Sequence, residues 1–128
     1  MAHNVMNDRR YARTDEWLQI DGSYALVGIS DHAQDSLSDI VYVELPGVGD
    51  KFDAGQAFGV VESVKAAADV YAPIAGTVTA VNETLADAPQ TVNEQPFGAG
   101  WLFRLKPDNA ADRDALMSAA DYEKAIEG

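Results

Sequence analysis

Short runs of β-forming residues, each cut off by a turn signal, recur through most of this 128-residue chain. Trp17–Ile20 and Ser23–Ile29 are separated by Asp21-Gly22, an Asp-Gly pair that predicts a hairpin with both turn positions at positive φ. Ser30-Asp31 then predicts the cap of a short helix near 31–37, ending at Leu37. Ile40–Leu45 reads as a strand stopped by Pro46-Gly47. Ala57–Val64 and Asp69–Ala72 flank a tip of small residues, which predicts a second hairpin over about 57–73. Pro73 breaks that ladder, Ala75-Gly76 turns again, and β-branched Thr77–Val81 reads as a strand. The stretch from Asn82 to Gly100 is longer than ordinary loops, so it is expected to hold some structure of its own.

Trp101–Lys106 alternates, with Trp101, Phe103 and Leu105 on one face and Arg104 and Lys106 on the other, the pattern of a half-buried strand. After Pro107 the period changes: Leu116, Ala119, Tyr122 and Ile126 are spaced as on a helix. Ser118 and Asp121 resemble a capping box, so the helical tail over about 109–127 is expected to pause at Ser118. These signals predict a mainly β barrel or sandwich with a short helix near 31–37 and C-terminal helices. Nothing in the composition marks a second domain, and 1–128 reads as a single domain.

Composition narrows the chemistry. Hydrophobic residues make up 47% and charged residues 23%, so the chain can bury a core without staples. Asp and Glu number 21 against 9 Lys and Arg, a formal net charge of -12. That charge repels phosphate backbones, arguing against nucleic acid, and steers the chain toward electropositive protein surfaces. With no cysteine, a disulfide, a thiolate metal site and a cysteine nucleophile are excluded. His3, in a polar start expected to fray, and His32, on the short helix, are too scattered to argue for a metal. No run approaches the ~18 apolar residues of a membrane span, and no apolar stretch follows Arg9-Arg10 to make an export signal. A cytoplasmic protein is expected, or a mitochondrial-matrix protein if this is a processed eukaryotic form. The exposed tip and the net charge favour a monomer.

One constellation carries chemistry. In Val60-Val61-Glu62-Ser63-Val64-Lys65-Ala66-Ala67-Ala68-Asp69-Val70-Tyr71-Ala72-Pro73, the single long side chain at the tip is Lys65. A lone lysine is most often a solvated surface residue. A Schiff-base lysine needs a depressed pKa, and the nearby Glu62 and Asp69 would instead hold the ammonium charged. An attachment site fits better, because an amine on a small-residue tip is open to a modifying enzyme. No nucleophile–base pair, phosphate-cradling loop or metal spacing accompanies it.

Glu62-Ser63-Val64-Lys65-Ala66 resembles the lipoylation motif of the glycine cleavage system H protein family. The likeness runs through Thr14-Asp15-Glu16-Trp17, Val27–Gln34 and Asp39–Pro46. It continues through Tyr71–Gly76, Val81-Asn82-Glu83, Val92-Asn93 and Pro96–Leu102. The chain departs at Asp15, where the family commonly has His, at Ser38, commonly Gly, and at Phe97, commonly Tyr. Biotin carriers share the tip lysine but flank it with Met, where Val64 and Ala66 stand here. A relay that hands lipoate to other carrier domains is a further alternative.

The resemblance implies a flattened barrel-sandwich hybrid of the biotinyl/lipoyl type, with Lys65 at a hairpin turn carrying lipoate as N6-lipoyllysine. It implies that Glu62 and Ser63 are read by a lipoyl ligase or octanoyltransferase. Thr14, Glu16 and Asp69 are implied to line the resting cavity of the arm. The implied partners are glycine decarboxylase (P protein), which loads an aminomethyl group, aminomethyltransferase (T protein), which unloads it, and dihydrolipoamide dehydrogenase (L protein), which reoxidises the arm. The chain itself is then a carrier and not an enzyme.

Overall fold

The computed structural model describes residues 4–127, and His3 lies outside them. Strands β1 (Arg10–Tyr11), β2 (Glu16–Asp21), β3 (Tyr24–Ile29), β4 (Ile40–Glu44), β5 (Lys51–Phe52), β6 (Ala57–Ser63), β7 (Ala67–Tyr71), β8 (Gly76–Val81) and β9 (Phe103–Pro107) form two antiparallel sheets. One runs β1-β2-β3-β9-β8-β5 and the other β4-β6-β7. The sheets face each other in a flattened barrel-sandwich that does not close, as the alternating patterns require. Along each strand one side chain in two turns inward, and the inward sets share a core. Leu18, Val27, Val78, Phe103 and Leu105 come from the larger sheet and Ile40, Phe58, Val61 and Val70 from the smaller. Phe58 meets Phe103 across the gap, ring centroids 4.4 Å apart at 60°, a favourable edge-on geometry.

Helix α1 (Asp31–Leu37) starts where expected, with the Ser30 hydroxyl accepting the Ala33 N–H. The long connection holds α2 (Thr84–Asp87) and α3 (Thr91–Glu94). The tail is a 3-10 turn over Ala110–Ala115 and then α4 (Ala119–Glu127), divided at Ser118, whose hydroxyl accepts the Asp121 N–H at 3.2 Å. Among the described residues no helix is long and apolar enough to cross a membrane.

Three local expectations are corrected. The first hairpin turns at Gly22-Ser23, because Asp21 pairs with Tyr24, and only Gly22 has positive φ, at +62°. A turn with positive φ at its first loop residue alone needs glycine there and tolerates Ser next. The last strand begins at Phe103, since Leu102 donates its N–H to Val27 O and is fully buried while Trp101 packs in a second cluster. The polar start is tied down from Asn4 onward. Arg9 lies 4.4 Å from the Trp17 ring and 5.2 Å from that of Phe97 and donates to Phe97 O, a stacked cation that holds β1 against β2. The smaller sheet also needs Gly59, where a Cβ would stand 2.1 Å from Glu44 O.

Candidate functional site

Val64, Lys65 and Ala66 join β6 to β7. The Ser63 hydroxyl shapes this tip: it accepts the N–H groups of Lys65 and Ala66 at 3.3 and 3.1 Å and donates to Ala66 O at 3.1 Å. Ser63 N–H also reaches Ala66 O, and Val64 N–H reaches Asp39 O, which pins the tip to the approach of β4. The backbone is therefore held while the Lys65 side chain stands exposed, with no hydrogen bond or ion pair among the described residues. Glu62 is exposed beside it, opposite Ala67 and Tyr42. Val64 and Tyr42 leave apolar surface on the same end of the sheet, at 66% and 50% exposure.

Among the described residues Glu16 is the one buried acid, 1% exposed at the start of β2. One carboxylate oxygen accepts the Thr14 hydroxyl, and the other accepts the Tyr71 N–H at 3.0 Å. The carboxylate thus ties the first sheet to the end of β7 in the second. Burial pushes its pKa up to about 7, partly offset by those hydrogen bonds and aided by nearby Asp15.

Beside this pair lies a cleft of about 560 Å³. Thr14 and Tyr71 are on its walls, with apolar surface from Ala12, Pro73, Leu116 and Met117, and with Arg13 and Asp121 of opposite charge. Glu16 is behind the wall, linked to it through its two partners. Asp69 is exposed on β7, two positions before Tyr71, and does not line the cleft. The structure thus brings Thr14 and Glu16 together and leaves Asp69 between them and Lys65. Sequence reasoning missed Tyr71, because its contribution is a backbone N–H, and Asp121, which reads only as a helix-capping residue.

A second polar cluster backs the cleft. The Tyr122 hydroxyl donates to Asp15 Oδ1 at 2.8 Å and shares a 2.6 Å hydrogen bond with the Ser30 hydroxyl, and the ring stacks on Tyr11 at 4.4 Å. Desolvation pushes the Tyr122 phenol far above its ordinary value and Tyr11 up to about 12.

Two facing β-sheets with an unhindered lysine between paired strands make a barrel-sandwich hybrid of the biotinyl/lipoyl type. The comparisons with known proteins narrow this further. The family model described as "Glycine cleavage H-protein" matches residues 9–128, and the chain belongs to that family of lipoyl carriers. It is similar to the glycine cleavage system H protein of Carboxydothermus hydrogenoformans, 53% identical over 96% of this chain and 95% of that one. It is 55% identical to glycine cleavage system H protein 2 of Pseudomonas putida, over 96% and 97% of the two chains. The crystal structure of the Mycobacterium marinum glycine cleavage system H protein superposes with a TM-score of 0.88 at 35% identity, covering 97% of this chain and 100% of that one.

Proposed function

We propose that this chain is the lipoyl-bearing shuttle of a glycine cleavage system and not itself an enzyme. Lipoate is joined by an amide to Lys65 Nζ as N6-lipoyllysine, placed there by a lipoyl ligase or octanoyltransferase that reads Glu62 and Ser63. The shuttle takes an aminomethyl group from glycine decarboxylase (P protein) to aminomethyltransferase (T protein), and dihydrolipoamide dehydrogenase (L protein) reoxidises it. It works as a cytoplasmic monomer, a single lipoyl-carrier domain over 1–128 with its hairpin over about 57–73 and its helical tail over about 109–127.

One observation carries this reading: Lys65 is the exposed side chain of a tip whose backbone is fixed by Ser63, with no partner among the described residues. A modifying enzyme meets a presented amine with no intramolecular bond to break. The residues fit lipoate. The tip offers the amine, and the cleft offers apolar walls at Pro73, Leu116 and Met117 with Thr14 and the buried Glu16 at one side. When bound, lipoate supplies a disulfide that can be reduced by group transfer and restored by oxidation. Thr14 then gives a cationic cargo a hydroxyl, backed by the Glu16 carboxylate behind the wall, away from bulk water, which slows its hydrolysis. Asp69 flanks the path from tip to cleft.

The test is mass mapping after incubation with a lipoyl ligase, ATP and lipoate. One adduct at Lys65 is expected, and the formal charge of -12 moves to about -13 as an ammonium becomes an amide. The modified protein then runs faster toward the anode and supports reconstituted glycine–bicarbonate exchange. An adduct elsewhere, or biotin at Lys65 in native protein, defeats the proposal.

A further inference from the structure

The wall of the cleft opposite Tyr71 comes from the C-terminal tail, through Leu116, Met117 and Asp121. Backbone bonds, apolar packing and one buried hydroxyl hold that wall in place. Tyr11 and Met117 exchange backbone hydrogen bonds at 2.9 and 2.8 Å, and Arg10 reaches Leu116 O at 3.4 Å. Leu116 packs on the main core, and Met117, Ala119 and Ile126 share the second cluster with Tyr122, the residue after Asp121, which is 1% exposed. Its hydroxyl donates to Asp15, so the Ser30 hydroxyl donates to it, while Ser30 Oγ also accepts the Ala33 N–H. One relay of hydrogen bonds therefore joins the cap of α1, the first turn of α4 and the corner that leads directly into Glu16.

Asp15 gives this relay its direction, because a carboxylate offers only acceptors and the phenol must donate to it. Asp15 also sits at φ +80°, a backbone conformation that Asn and Gly adopt more readily than other residues. A buried phenol that lost its acceptor would have to turn its proton toward Ser30, whose own donor would then lack a partner.

We propose that Tyr122, directed by Asp15, is the positioning residue of the cargo cleft: it holds the tail wall closed against Thr14 and Tyr71 and so sets how long a docked cargo is sheltered. The inference rests on the proposed shuttle function. It assigns the tail a part in holding cargo, where the fold by itself would assign it only packing.

The experiment compares Tyr122→Phe, Asp15→Gly and Asp15→Asn with the parent. Tyr122→Phe keeps the ring on Tyr11 and removes the hydroxyl, Asp15→Gly removes the acceptor at an unstrained φ, and Asp15→Asn keeps an acceptor. In unmodified protein, the Met117 and Tyr122 amides are expected to exchange about three- to tenfold faster in the first two variants, the equilibrium worth of one hydrogen bond. In lipoylated protein loaded with the aminomethyl group and freed of the decarboxylase, the lifetime of the load is expected to fall by a similar factor. Lipoylation at Lys65 should proceed at the parent rate, and Asp15→Asn should resemble the parent in both measurements. Faster exchange with an unchanged load lifetime makes the anchor merely structural and overturns the inference while leaving the shuttle function standing. Unchanged exchange overturns it as well, since the wall is then held by other groups. A parent that takes no lipoate at Lys65 overturns the shuttle function first, and the inference with it.

Discussion

Replacing Glu16 with Gln is expected to make the protein more stable above neutral pH and a poorer keeper of cargo. Glu16 is fully enclosed, and its pKa is raised from 4.5 to about 7, chiefly by burial. A folded-state pKa above the unfolded value means that the folded chain prefers the protonated acid. Its contribution is complete below about pH 4.5, falls as pH rises through 7, and is gone above that. The difference of roughly 2.5 units at 1.36 kcal/mol each amounts to about 3 kcal/mol. Gln preserves both contacts: its carbonyl accepts the Tyr71 N–H, and its amide donates to the Thr14 hydroxyl, which can turn to accept. Urea unfolding of parent and variant should therefore agree within error near pH 4.5 and differ by about 3 kcal/mol in favour of Gln near pH 8. Other carboxylates titrate in both proteins and cancel in the difference. A difference that stays constant across that range would show that Glu16 does not titrate there and would refute the reasoning.

Three further outcomes are expected. Lys65→Arg should leave stability within about 0.5 kcal/mol, as for an exposed side chain, and abolish both lipoylation and glycine–bicarbonate exchange, because a guanidinium offers no amine for the amide; mass mapping and the exchange assay check this. Ser63→Ala should cost about 1 kcal/mol in denaturant unfolding and slow lipoylation, since the N–H groups of Lys65 and Ala66 lose their shared acceptor. Ser38→Gly should raise the thermal midpoint, by the equivalent of about 1–2 kcal/mol, because Ser38 closes α1 at φ +67°, ψ -154°, a region that favours glycine.

Local chemistry was legible in the sequence, and chemistry assembled across the fold was not. The hairpin tip is written in consecutive residues, with β-formers on either side of small ones, so Lys65 stands out in the sequence alone. The half-buried strands were equally plain wherever alternation ran for several residues, as in β9. β1 and β5 have two residues each and show no period at all. Glu16 sits in a polar stretch, Thr14-Asp15-Glu16, that reads as a strand edge. Its burial depends on Tyr71, 55 positions away. The Tyr122 anchor spans 107 positions to Asp15, and its helical spacing signalled packing but not a hydrogen bond. Ser38 and Asp15, two departures from the family pattern, both occupy positive φ. The residue types at those positions are thus matters of backbone geometry, which no local pattern displays.

On the proposed function, the cost of ionising Glu16 and the holding of cargo are one coupling seen from two sides. A cation resting by Thr14 and Tyr71 favours the carboxylate and lowers its pKa from about 7. By reciprocity, the ionised carboxylate binds that cation more tightly by the same factor. Arg13 and Asp121 face the same cleft with opposite charges, and Asp15 is engaged by Tyr122, so Glu16 is the buried acid left to respond. Burial brings its pKa up to about 7, close enough to neutral pH for a change in surroundings to shift its charge. An uncharged arm leaves the balance at Glu16 unchanged and gains nothing from it, whereas a cationic load favours the ionised form and is held more tightly. Gln at this position cannot make that distinction, so the loaded and empty forms of the variant should differ less in their occupancy of the cleft than those of the parent, and its load should decay faster although Lys65 is lipoylated as before.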